Sequence, residues 1–237
     1  MTIKSMAAAV AIVGIGAGIP LWAEDAGFSW EGEIELGVEA NVKSDDPTAE
    51  IRDTYGAIEL SGTARIGSGV SVFATFVGES VTDATQDRSF DDLGFYISEL
   101  GLSLEIGRTS LAVGKISPVF GRAWEEGDGF FGSGLAEDYE LTEMIGGTLE
   151  IPLGNSAGTL TIAAFFADDT ALSRSAGFDR GRNTTAAGGA GNTGTLNNIA
   201  VTWSGDFGDT SVQLGARHLS AGTADVSDET GFVASVG

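Results

Sequence analysis

Along much of the chain, apolar and polar residues alternate one for one over stretches of about ten residues, the period-2 mark of a β-strand with two unlike faces. In the first stretch Phe28, Trp30, Ile34, Leu36, Val38, Ala40 and Val42 fall on one side, and Glu31, Glu33, Glu35 and Glu39 on the other. A second stretch opposes Ile58, Leu60, Ala64 and Ile66 to Glu59, Ser61, Thr63 and Arg65. A third opposes Val70, Val72, Ala74 and Phe76 to Ser71, Thr75 and Glu79. Helical spacing fits none of them. Further runs at 93–106, 109–117, 139–152, 158–167, 196–205 and 209–219, and a last one starting near 230, predict about ten strands. The prolines agree, with Pro47 in a loop and Pro118 and Pro152 at strand ends, so none interrupts a ladder.

The connections between these runs take turns at being short and long. Short ones fall at Gly67-Ser68-Gly69, 105–108, 153–157 and 206–208; long ones at 43–53, 80–92, 118–138, 168–195 and 220–229. A bacterial membrane barrel has this regularity, with tight periplasmic turns and long extracellular loops. A Greek-key sandwich has no reason to adopt it. The aromatic residues divide the same way: Trp30 and Trp203 at the turn ends of their strands, and Tyr55, Phe76, Tyr96 and Phe166 at the loop ends. Two such girdles are expected at the two lipid–water boundaries. The expected fold is all-β, a transmembrane antiparallel β-barrel with apolar side chains facing lipid and polar ones facing water.

Composition narrows the partners. Acidic residues number 34 against 12 basic ones, for a net charge of −22. Nucleic acid would be repelled by such a chain; a cation pathway or a divalent-bridged anionic surface suits it. There is no cysteine, hence no disulfide and no thiolate chemistry. Residues 1–23 have the form of a secretory signal peptide: Lys4, an apolar run from Met6 to Leu21, and a small residue at Ala23 before acidic sequence begins at Glu24. Beyond it no stretch approaches the ~18 apolar residues of a membrane-spanning helix. Export with barrel strands predicts the bacterial outer membrane.

Candidate chemistry is sparse. His218 is the single histidine, and with Ser220 it lacks the orienting acid and oxyanion hole of a triad. No nucleophile elbow, zinc motif or phosphate loop occurs, so neither an enzyme nor a bound cofactor is expected. The pairs Asp45-Asp46, Asp91-Asp92 and Asp168-Asp169 offer oxygens of the kind Ca2+ takes, or divalent bridges to lipopolysaccharide. None has EF-hand spacing, and solvated loops are the ordinary reading. The Gly/Asn-rich run 187–198 reads as a flexible surface loop.

One region resembles a known family. Leu100-Gly101-Leu102, Ile106-Gly107, Leu111-Ala112-Val113-Gly114-Lys115 and Pro118-Val119-Phe120, in that order, are similar to the general-diffusion porins of Gram-negative bacteria. The resemblance implies a trimer of barrels with about sixteen strands each, so that 24–237 would be the N-terminal part of one. It also implies that the loop 118–138 folds back and narrows the pore. That loop carries Arg122, Glu125, Glu126, Asp128, Glu137 and Asp138, and carboxylates in a constriction favour cations. Lys115 matches the family's wall arginine, with Arg52 and Arg65 as neighbours and Glu35 and Glu59 on the same water-facing wall. Lys115 nevertheless shares parity with Leu111 and Val113, so a bulge near Gly114 is expected to turn it inward. Glu143 likewise falls on the side shared by Leu141, Ile145 and Leu149, where a bare carboxylate is costly. The expected function is passive diffusion of small hydrophilic solutes and ions with cations preferred. The alternatives are a substrate-specific channel and a non-channel surface barrel.

Overall fold

The computed structural model of the chain describes residues 27–122, 139–154 and 157–237. The predicted signal peptide, and Glu125, Glu126, Asp128, Glu137 and Asp138, lie outside the described residues.

The described chain is all-β. Its strands are β1 (Phe28–Ala40), β2 (Arg52–Gly67), β3 (Val70–Ser80), β4 (Arg88–Ser89), β5 (Leu93–Ile106), β6 (Thr109–Ile116), β7 (Met144–Pro152), β8 (Thr159–Ala167), β9 (Ala176–Gly177), β10 (Asn198–Phe207), β11 (Thr210–Leu219) and β12 (Glu229–Val236). The ten long strands pair in chain order as one meander. The two-residue strands lie in loops, β4 beside β2 and β9 beside β5. Among the described residues β1 and β12 are not paired with each other. The long strands sit where alternation placed them, and β5 has the predicted limits.

Two of the turns show why the hairpins are so tight. Ile106 pairs with Thr109 and Phe207 with Thr210, leaving two residues in each loop. Gly107 and Gly208 take the first loop position at φ +67°. Such primed turns match the strand twist and need a residue that tolerates positive φ.

The strand predicted over 139–152 begins later, at Met144. Glu143 adopts φ +53°, which ends the pleat, so it is not part of the ladder and its conflict of parity disappears. The expected bulge at Gly114 is also absent. Gly101↔Gly114 and Leu100↔Lys115 pair without an inserted residue, as do Gly114↔Gly146 and Lys115↔Ile145. Gly114 instead takes φ +141°, and a Cβ there would run into the Leu100 carbonyl.

The chain divides into two compact units. Among the described residues, the first comprises 27–62, 75–97 and 174–181 and the second 63–74, 98–122, 139–154, 157–173 and 182–237. In the first, Phe28, Ile34, Leu36, Val38, Leu60, Phe76 and Phe95 are exposed, Ile34 and Leu36 by more than half. On the opposite side Tyr55 Oη donates to Glu35 (2.9 Å), Tyr96 Oη donates to Glu79 (2.6 Å), and the hydroxyls of Ser61 and Thr75 meet at 2.9 Å. Tyr55 and Tyr96 therefore belong to the polar side and not with the loop-end aromatic residues among which they were expected. On the apolar side Phe95 stacks on Phe76, with ring centres 6.1 Å apart.

The second unit also exposes apolar strand residues. Leu100, Leu102, Ile106, Val113, Ile199, Leu214 and Phe232 are exposed, while Thr202, Gln213 and Arg217 are buried. A water-soluble domain buries its apolar residues and wets its polar ones. On these strands Leu102, Val113 and Leu214 stand exposed, while Thr202 and Arg217 are buried together with Ala163, Phe165, Ala200 and Leu219.

Candidate functional site

The feature that stands out on the polar side of the second unit is the chain leaving β6. Residues 117–122 and 139–143 do not run away from the sheet. They lie against β10, β11 and β12. Thr202 Oγ1 donates to the Val119 carbonyl at 2.8 Å. Arg122 Nη2 donates to Ser211 Oγ at 2.7 Å and to its carbonyl at 3.2 Å. Arg217 Nη1 donates to the Tyr139 carbonyl and Nη2 to Glu229 Oε1, both at 2.6 Å. β6 pairs with β5 and β7, so these contacts carry the chain across to strands that are not its ladder neighbours.

A small apolar core forms where the segment lands. Phe120, Leu141, Ala163, Phe165, Ala200 and Leu219 bury one another, with Met144, Ala190 and Val233 packed around them. Ala163, Phe165, Ala200 and Leu219 reach this core from the otherwise polar side of β8, β10 and β11. Phe165 pairs with Asn198 and Ala163 with Ala200, which puts them in one layer. The core is local, because Thr161↔Thr202 and Thr159↔Ser204 continue the same side toward the turns with hydroxyls.

Of the residues singled out from the sequence, Arg122 is part of this arrangement. Glu35 accepts the Tyr55 hydroxyl on β1, and Glu59 is exposed on β2. Arg52 and Arg65 are exposed near the two ends of β2; the Arg52 amide donates to Asp87 (2.9 Å). Lys115 lies in the row Leu100–Lys115–Ile145–Phe166, which is the apolar side of the ladder. Its ammonium is fully buried, 2.7 Å from Glu143, 2.8 Å from Asp168 and 3.0 Å from the Leu172 carbonyl to which it donates. It is a loop anchor whose charge is already matched. Burial alone would raise the Asp168 carboxyl, but hydrogen bonds from Lys115 and Thr170 outweigh it and hold the group below its ordinary range.

The other long loops are built similarly. Arg88 Nη2 meets Asp53 at 2.6 Å and Nη1 meets Asp92 at 3.0 Å. Burial opposes ionisation of Asp92, yet bonds from Thr82 and the Arg88 charge prevail and lower its pKa. The Gly/Asn-rich run 187–198 is organised rather than featureless. Buried Asn192 donates to the Thr184 and Gly188 carbonyls, and buried Asn198 to those of Phe165 and Gly191. Among the described residues no group of three or more His, Asp or Glu side chains is arranged to hold a metal ion. His218 faces Thr230 (3.4 Å) and Asp228 (3.8 Å), while the Ser220 hydroxyl donates to the Asn197 carbonyl. The two are engaged separately.

No protein-family model matches the chain, and no curated protein or solved structure is significantly similar to it. Tyr139, Thr202 and Arg217 were not singled out from the sequence, and Phe120 and Leu141 were named there without this role. One trace was present: Ile162-Ala163-Ala164-Phe165-Phe166-Ala167 is apolar on both faces, the pattern of a strand covered on both sides.

Proposed function

We propose that the protein is an outer-membrane β-barrel channel through which small hydrophilic solutes and ions diffuse passively, with cations preferred. The observation that carries this reading is the segment after β6 laid on the polar side of β10–β12, while the reverse side of the same strands exposes leucine, isoleucine and phenylalanine. A strand with one wet and one greasy side suits a wall between water and lipid. A segment folded against the wet side narrows whatever passage runs there. Glu31, Glu33, Glu35, Glu39, Glu59 and Glu79 share the polar parity of their strands, and a carboxylate-lined passage attracts cations. Relatives in the family that residues 100–120 resemble are trimers, and the same assembly is proposed here.

Planar-bilayer recording of the full-length protein tests this. Discrete conductance steps, with a reversal potential of cationic sign in a salt gradient, are expected. Saturable block by a sugar or by phosphate would instead indicate a substrate-specific channel. Correctly folded protein that passes no current would end the channel reading and favour a non-channel surface barrel.

A further inference from the structure

Arg217 joins four separate pieces of chain. It projects from the polar side of β11, between Ala200 and Gly231 in the ladder. Its guanidinium lies 4.7 Å from the centre of the Phe120 ring, beyond β6, and 5.7 Å from that of Tyr139, ahead of β7. One arm donates to the Tyr139 carbonyl and the other to Glu229 at the start of β12. Phe120 has room because Gly215 and Gly231 leave a gap in the wall. A Cβ on Gly231 would stand 3.2 Å from both the ring and the Arg217 side chain. Phe120 and Arg217 are 3 % and 5 % exposed, so both are committed to this contact.

We infer that Arg217 is a positioning residue, a clamp that pins both ends of the returning loop to the wall and so fixes the width of the water path beside it. The second half of this statement rests on the channel reading; the clamp itself does not. Arginine suits the role physically. Its flat face stacks on an aromatic ring while its forked donors serve two acceptors in different directions. A lysine supplies one compact charge and no plane. Because Glu229 and the two rings surround the guanidinium, its charge acts on the loop more than on passing ions.

The test uses the absence of native cysteine. Leu141 is 2 % exposed and packs with Phe120, so a thiol introduced by Leu141→Cys is shielded while the clamp holds. In full-length protein reconstituted in vesicles, its reaction with a small water-soluble thiol reagent is slow. Adding Arg217→Met, or Phe120→Ala as an independent route to release, is expected to speed labelling about tenfold, since reactivity follows the open population. Arg217→Lys should label like Arg217→Met; a wild-type rate there would mean that charge alone acts, and the clamp would be overturned. Unchanged labelling in both Arg217→Met and Phe120→Ala overturns it as well. Single-channel conductance should rise by roughly half in the released variants. If labelling rises and conductance stays constant, the clamp does not set the path. If the wild type passes no current yet labelling behaves as described, the clamp stands and the channel reading fails.

Discussion

The Lys115 ammonium stands 2.8 Å from the Asp168 carboxylate, with side chains 0 % and 1 % exposed. β6, the start of β7 and the loop after β8 are thereby tied at one point, since Glu143 also accepts from Lys115. Removing one member of a buried pair leaves its partner charged and unmatched, which costs about 3–5 kcal/mol. Lys115→Met is expected to lower the unfolding free energy by that order. Urea unfolding in lipid vesicles measures it, and a loss near zero would mean that the ammonium reaches water.

Asp168 and Asp92 are both held below the ordinary carboxyl pKa of 3.8. A carboxyl depressed on folding contributes stability that is fully present above its unfolded pKa and lost as pH falls through the folded one. Acid should therefore weaken the two loop anchors below about pH 4 and leave them intact at neutral pH. Asp168→Asn should flatten the fall of the unfolding midpoint in that window. A midpoint that declined equally in the variant would show that other groups govern it.

The exposed side of the strands has a definite cost for charge. Arginine at Leu36 should destabilise the protein by about 2–4 kcal/mol if that side meets hydrocarbon near mid-bilayer. Arginine at Glu33, on the opposite side of β1, should cost less than about 1 kcal/mol. Equal effects at the two positions in vesicle unfolding would contradict a lipid-facing wall.

Neutralising Glu125, Glu126 and Asp128 together is expected to reduce cation preference by roughly half, read as a reversal potential closer to zero. An unchanged potential would place those carboxylates away from the ion path.

Most of the fold was legible, because a strand with two unlike faces writes its period directly into the sequence. The limits of β5 came from alternation alone, and the short turn expected at 105–108 closes as the two residues Gly107 and Arg108. Parity with Glu59 and Ser61 already placed Tyr55 on the polar side, had it been followed in place of residue type. What could not be read were contacts between distant segments. Lys115 reads as a wall cation in the sequence, and its anchoring role shows only once Glu143 and Asp168 are seen beside it, 28 and 53 positions away. Phe120 and Arg217 are nearly a hundred residues apart, and nothing local to either announces the other. Loop order was missed for the same reason. Asn192 and Asn198 look like surface residues by composition, yet both are buried: Asn192 donates to the Thr184 and Gly188 carbonyls of its loop, and Asn198 to those of Phe165 on β8 and Gly191.

In a channel wall of this kind, neighbouring residues of one strand face different solvents. Glu59 and Leu60 are adjacent on β2 and both exposed, and the cysteine-free chain accepts a spin label cleanly at either. In reconstituted protein a label at Leu60 should collide chiefly with dissolved oxygen, which concentrates in lipid. A label at Glu59 should collide chiefly with a water-soluble nickel chelate. Equal access of the chelate to both positions would contradict the account.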